Sequence, residues 1–92
     1  MSTEVRRTMK IVNEKGLHAR ASAKFVEVVE AHDARAWVSK DGNRTGGDSI
    51  MGLLMLAAAR GSTIDVRTEG AQAVELADAL EALVADRFGE DF

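Results

Sequence analysis

The sequence predicts an open two-layer α+β sandwich of order βαββαβα, with a four-stranded antiparallel sheet covered on one face by three helices. Three observations carry this prediction. Two segments alternate apolar and polar residues with a period of two. Others repeat apolar residues at helical spacing. Between them, Asp41-Gly42 joins two short strand-like runs, and such a pair favours a hairpin because both positions tolerate positive φ.

The elements follow in order. Residues 5–12, VRRTMKIV, set Val5, Met9 and Ile11 on one face and Arg6, Thr8 and Lys10 on the other, as in a half-buried strand. NEKG at 13–16 reads as a loop. From 19 to 31 the period turns helical, with Ser22, Phe25, Val26 and Val29 on one face and Lys24, Glu27 and Glu30 away from it. Residues 34–45 read as two strands, and GGD at 46–48 breaks the second. In the first of these, Ala36 and Val38 compete with Trp37 for the inward phase, and the pattern leaves that choice open.

Residues 49–59, SIMGLLMLAAA, read as a short helix with Ser49 as N-cap. Leu53, Leu56 and Ala57 can share its core face. Residues 62–68 alternate again, with Ile64 and Val66 inward. The longest helix spans 71–87, with Ala73, Leu76, Ala77, Leu80, Leu83 and Val84 in one stripe. GEDF reads as a fraying tail. Arg6, Lys10, Arg35 and Arg67 then fall on the wet face of the sheet.

The chain has 92 residues and reads as one domain, 1–92, with a thin core. It contains no cysteine, which excludes disulfides, a thiol nucleophile and cysteine-ligated zinc. No apolar run is long enough to span a bilayer, and MSTEVRR lacks an apolar signal core. The expected location is the cytoplasm, without membrane insertion, and the expected state is a monomer. A net charge of −3 and only 4% aromatic residues argue against a small nucleic-acid-binding α/β domain, whose sheet needs basic and aromatic residues together.

The chemistry concentrates in GLHAR, residues 16–20. Gly16 permits a close approach that a side chain would obstruct. His18 stands at or beside a helix start, where backbone N–H groups lack partners and the helix dipole adds positive charge. Such a place holds a phosphate, and Arg20 adds a cation with bidentate geometry. The same positive charges favour a neutral imidazole with one ring nitrogen free as a nucleophile. A neutral nucleophile inside an anion hole fits reversible capture of a phosphoryl group.

A surface histidine or a weak cap is the plainer alternative. No residue has metal-ligand spacing to His18, and no triad surrounds it, so neither a metal, a cofactor nor hydrolase chemistry is expected. His32 falls where the first helix ends and suits its C-terminal dipole.

GLHARASAKF resembles the active-site motif of HPr, the histidine-containing phosphocarrier family of the bacterial phosphotransferase system. GDSIMGLLMLAA resembles that family's second signature, about thirty residues further on. The resemblance covers essentially the whole chain. It implies a sheet order of 1-4-2-3 and a carrier rather than an enzyme. It also implies that enzyme I phosphorylates His18 on its δ nitrogen at the expense of phosphoenolpyruvate. Gly16, Ala19 and Arg20 would hold the phosphoryl group, which passes to an EIIA-type acceptor. Ser49 would be the target of HPr kinase/phosphorylase, and Ile50, Met51 and Leu54 the apolar patch that meets partners. A non-catalytic regulatory relative acting through the Ser49 and Met51 surface is the alternative, and His18 argues against it.

Two departures stand out. Ala21 occupies the position where most members carry proline. Glu27 and Glu30 stand where sugar-branch members often carry lysines, so the nitrogen-related branch is open beside the sugar branch. The 49–59 helix has its own implication: Ile50, Met51, Leu54 and Met55 cannot all be buried in so small a domain. Exposed apolar residues rich in methionine suit a docking surface for several partners.

Overall fold

The computed structural model describes residues 3–92. Strand β1 (Thr3–Lys10) leads to helix α1 (Ala19–Glu30), then to strands β2 (Arg35–Lys40) and β3 (Asn43–Gly46). Helix α2 (Ile50–Met55), strand β4 (Thr63–Gly70) and helix α3 (Ala73–Ala85) follow, with a short 3-10 turn at Arg87–Gly89. The strands form one antiparallel sheet in the order β1-β4-β2-β3, as the resemblance implied. The three helices cover one face and the other lies open.

Alternation decides which side chains meet the helices. Met9, Ala36, Val38, Ile64 and Val66 turn inward, against Phe25, Val29, Leu53, Leu76, Leu80 and Val84. The phase of β2 is thereby settled. Ala36 and Val38 are buried, and Trp37 stands on the open face. Ala36 lies close beneath Gly47, where an added Cβ would come within 2.8 Å of the Ala36 Cβ. Arg7 takes the helix-facing phase of β1 and reaches Asp78 at 2.5 Å and Glu81 at 3.5 Å on α3. Pairs this exposed contribute about 1 kcal/mol or less, so they register α3 over β1 rather than hold the fold.

Several boundaries differ from the expected ones. Helix α2 stops at Met55 because Ala57 is left-handed, at φ 51°. The chain must turn there to reach Ile11, whose N–H donates to the Ser62 carbonyl and whose carbonyl accepts from the Gly61 N–H. The turn exposes Ala57, and Ala58 instead joins Leu53 and Leu56 in the core. Helix α3 begins at Ala73 and its N-cap, Gln72, makes no side-chain cap bond. Gln72 and Asp33 exchange hydrogen bonds instead, pinning the start of α3 to the turn before β2. His32 closes α1, its ring Nδ1 bonding the Val28 carbonyl at 2.7 Å.

The largest correction concerns the C-terminus. GEDF does not fray. Phe88 is fully buried in the core cluster, at a left-handed φ of 55°. It continues the α3 stripe through Leu80 and Val84 at intervals of four. Lys24 Nζ donates to the Phe88 carbonyl at 2.6 Å, and the Glu14 N–H donates to the Phe92 carbonyl at 3.0 Å. The buried ring anchors the last residues against the α1 end of the molecule.

Truncating this anchor removes a fully buried aromatic side chain. We expect Phe88→Ala to lose about 3–5 kcal/mol of unfolding free energy in urea titrations. A loss below about 1 kcal/mol would contradict the anchoring role.

Candidate active site

The loop between β1 and α1 is built inward from Asn13, which is fully buried. Its Nδ2 donates to the Gly16 carbonyl at 2.8 Å and to Glu90 Oε1 at 2.9 Å. Gly16 has φ 66°, and a Cβ there would collide with the Ala58 carbonyl oxygen. Both facts call for glycine. The Leu17 N–H donates to that same carbonyl at 2.9 Å, so the loop is clamped to the segment after α2. The His18 N–H returns to the Gly16 carbonyl at 2.9 Å.

This path delivers His18 in extended conformation as the N-cap of α1, and its carbonyl accepts the Ser22 N–H at 2.8 Å. Ring atom Nδ1 accepts from the Arg20 N–H at 3.3 Å. On the other side of the ring, Nε2 meets Glu90 Oε2. A carboxylate only accepts, so the proton belongs on Nε2. The Nδ1 lone pair is then directed at the free N–H groups of the first helical turn.

Burial pushes the Glu90 carboxyl up. Hydrogen bonds from Asn13 and His18, with the charges of His18 and Lys15, outweigh that and hold it below its ordinary value of 4.5. Glu90 is therefore ionised at neutral pH and fitted to hold the imidazole from behind. Among the described residues, the buried Asn13 Oδ1 has no hydrogen-bond partner.

An open groove of about 570 Å³ lies over this arrangement. His18, Ala19, Arg20, Lys15, Lys24 and Glu90 are among the residues that line it. Arg20 is exposed, and among the described residues its guanidinium has no ion-pair partner. Of the residues expected from the sequence, His18, Ala19 and Arg20 are thus brought together. Gly16 lies behind the groove, buried against Ala58, where it shapes the loop. Ala21 is fully buried beneath the first turn of α1.

Ser49 is the N-cap of α2, its Oγ accepting the Gly52 N–H at 3.0 Å. Gly52 is required because a Cβ would strike Thr45 Oγ1 where α2 crosses β3. Next to Ser49, Ile50, Met51 and Met55 are exposed at 41%, 69% and 80%, and Leu54 is half-buried. The exposed apolar surface expected of this helix is present.

Glu90 was not singled out by sequence reasoning, and neither was Asn13. The available signal for Glu90 was Phe88, spaced to continue the α3 stripe and followed by a glycine. That pattern marks a buried turn rather than a loose end.

The protein-family model described as "PTS HPr component phosphorylation site" matches residues 5–86. The phosphocarrier protein HPr of Neisseria meningitidis is 44% identical over 94% of this chain and 97% of its own. The phosphocarrier protein NPr of Escherichia coli is 36% identical over 95% and 98%. Among solved structures, an HPr from Thermoanaerobacter tengcongensis superposes with a TM-score of 0.91 at 34% identity, covering 96% of this chain and 99% of that one. The chain belongs to the HPr family, the phosphocarriers of the phosphotransferase system.

Proposed function

We propose that the protein accepts a phosphoryl group from phospho-enzyme I on Nδ1 of His18 and passes it to an EIIA-type acceptor. The observation that carries this is the orientation of the ring, with Nδ1 at the N-terminus of α1 and Nε2 held by Glu90. The Nδ1 lone pair forms a bond to phosphorus, and the bond from phosphorus to the donor breaks with its electron pair leaving on the donor. The phosphorylated ring keeps its Nε2 proton and is cationic, and the Glu90 carboxylate balances that charge. The first-turn N–H groups and Arg20 face the phosphoryl oxygens. Alanine at 21 keeps a backbone N–H there that proline would remove. Transfer onward reverses these steps.

Ser49 is proposed as a regulatory site for HPr kinase/phosphorylase, and Ile50, Met51 and Leu54 as the surface that meets enzyme I and the acceptor. Phosphate at a helix N-terminus is electrostatically tolerated. Beside Asp48 it builds up negative charge where the apolar patch begins.

Incubation with phosphoenolpyruvate and enzyme I should yield an acid-labile, base-stable phosphate that is absent in His18→Ala. An unlabelled parent protein would refute the carrier reading. Glu90→Gln should accept phosphate about tenfold more slowly, the lower end of the loss seen when the carboxylate behind a metal-bound histidine is removed. Ring nitrogen NMR should then show protons shared between Nε2 and Nδ1, and an unchanged tautomer would contradict the positioning role.

The pH dependence has a definite sign. A carboxyl lowered in the folded state contributes stability above 4.5 and loses it as pH falls through the lowered value. Urea unfolding should therefore show a gap between parent and Glu90→Gln that is constant at neutral pH and shrinks below that point. Ser49→Asp should remain folded by circular dichroism yet accept phosphate from enzyme I more slowly. Equal rates would remove Ser49 from the control of transfer.

A further inference from the structure

The open face of the sheet carries an arrangement that phosphoryl transfer does not use. Antiparallel register sets Arg6 opposite Arg67, Arg67 opposite Trp37, and Trp37 opposite Gly46, in one row across four strands. Arg67 stacks on the Trp37 ring at 4.3 Å and Arg44 approaches it at 5.4 Å. These residues line an open cleft of about 550 Å³ that shares no residue with the His18 groove.

Stability alone does not explain the row. Like charges placed directly opposite across a ladder are unfavourable. Glu4 relieves Arg6 at 2.9 Å but reaches Arg67 only at 3.8 Å, and among the described residues Arg44 has no carboxylate partner. Cation–π contact accounts for one arginine on the indole, not for a second beside it and a third across the ladder. Gly46 puts no side chain opposite the ring, so the indole is open from the β3 edge.

Charge is also segregated. The chain carries −3 overall. Yet the outward positions of the sheet hold Arg6, Lys10, Arg35, Arg44 and Arg67 against only Glu4, Asp65 and Glu69. Asp65 is further engaged by the Thr8 hydroxyl at 2.8 Å.

We propose that this row is a docking site for an acidic protein segment, whose carboxylates pair with Arg44 and Arg67 over the Trp37 ring. Arginine and tryptophan are the residue types that most often dominate binding energy at protein interfaces. Guanidinium groups held flat on a ring present their N–H forks outward for carboxylates. A nucleic acid fits less well, because a single aromatic offers one stacking step and the chain as a whole repels a phosphate backbone. The helices lie on the other side of the sheet, so an occupant here leaves His18 accessible to phosphoryl donors and acceptors. The partner bound here can therefore be a third component held during transfer.

Trp37 is the chain's single tryptophan, so its fluorescence reports directly on the cleft. Titration of the full chain with a short capped oligoglutamate peptide should change that fluorescence saturably, and less tightly as salt is raised. Amide shifts in NMR should centre on Trp37, Arg44 and Arg67. Arg67→Gln and Arg44→Gln should each weaken binding about tenfold while acceptance of phosphate from enzyme I stays at the parent rate. The absence of a saturable response, shifts centred on Arg20 and Lys24, unchanged affinity in the double variant, or tighter binding of a single-stranded oligonucleotide would each overturn the proposal.

Discussion

The imidazole of His18 is held at both nitrogens, and the rest of the architecture follows from that requirement. One nitrogen faces the first turn of α1 and the other the carboxylate of Glu90. The two groups come from opposite ends of the chain. A hydrogen bond to a charged group contributes about 1.5–3 kcal/mol, and ordering a free tail costs about 1–2 kcal/mol per residue. The bond cannot order the tail by itself. Burial of Phe88, favourable by about 1.5–3 kcal/mol, and the bonds from Lys24 and Glu14 bring the tail to the ring, and Glu90 then needs little further ordering.

Asn13 is the junction of this closure. Its amide nitrogen bridges the Gly16 carbonyl and Glu90. Loop and tail are thereby held by one side chain. The loop is in turn clamped to Ala58, just beyond the left-handed Ala57 that ends α2. The same frame that fixes the histidine therefore fixes the helix that exposes Met51 and Met55. Such a frame keeps the His18 ring and the apolar surface of α2 in one mutual geometry.

The sheet divides the molecule into two unlike surfaces. On the helical side lie the groove over His18 and the apolar end of α2. On the open side lie Trp37 and the arginines around it. The strands separate these surfaces because alternation sends successive side chains to opposite faces. One element can thus contribute Val38 to the core and Trp37 to the outside.

Much of this was legible in the sequence alone. Period-two alternation marked β1 and β4, helical spacing marked α1 and α3, and Asp41-Gly42 marked the hairpin, because each pattern records a relation between near neighbours. His18, Ala19 and Arg20 were legible for the same reason, being consecutive at a helix start. The inward phase of β2, the early end of α2 and the inward role of Gly16 were decided by what lies above each residue in space. Glu90 is the clearest case. It stands 72 residues from the histidine it holds, and a contact across that separation leaves no periodic trace. The packing of Phe88 against the core, with the bonds from Lys24 and Glu14, brings the two together, because hydrophobic burial acts on surfaces that the folded chain, and not its local pattern, places in contact.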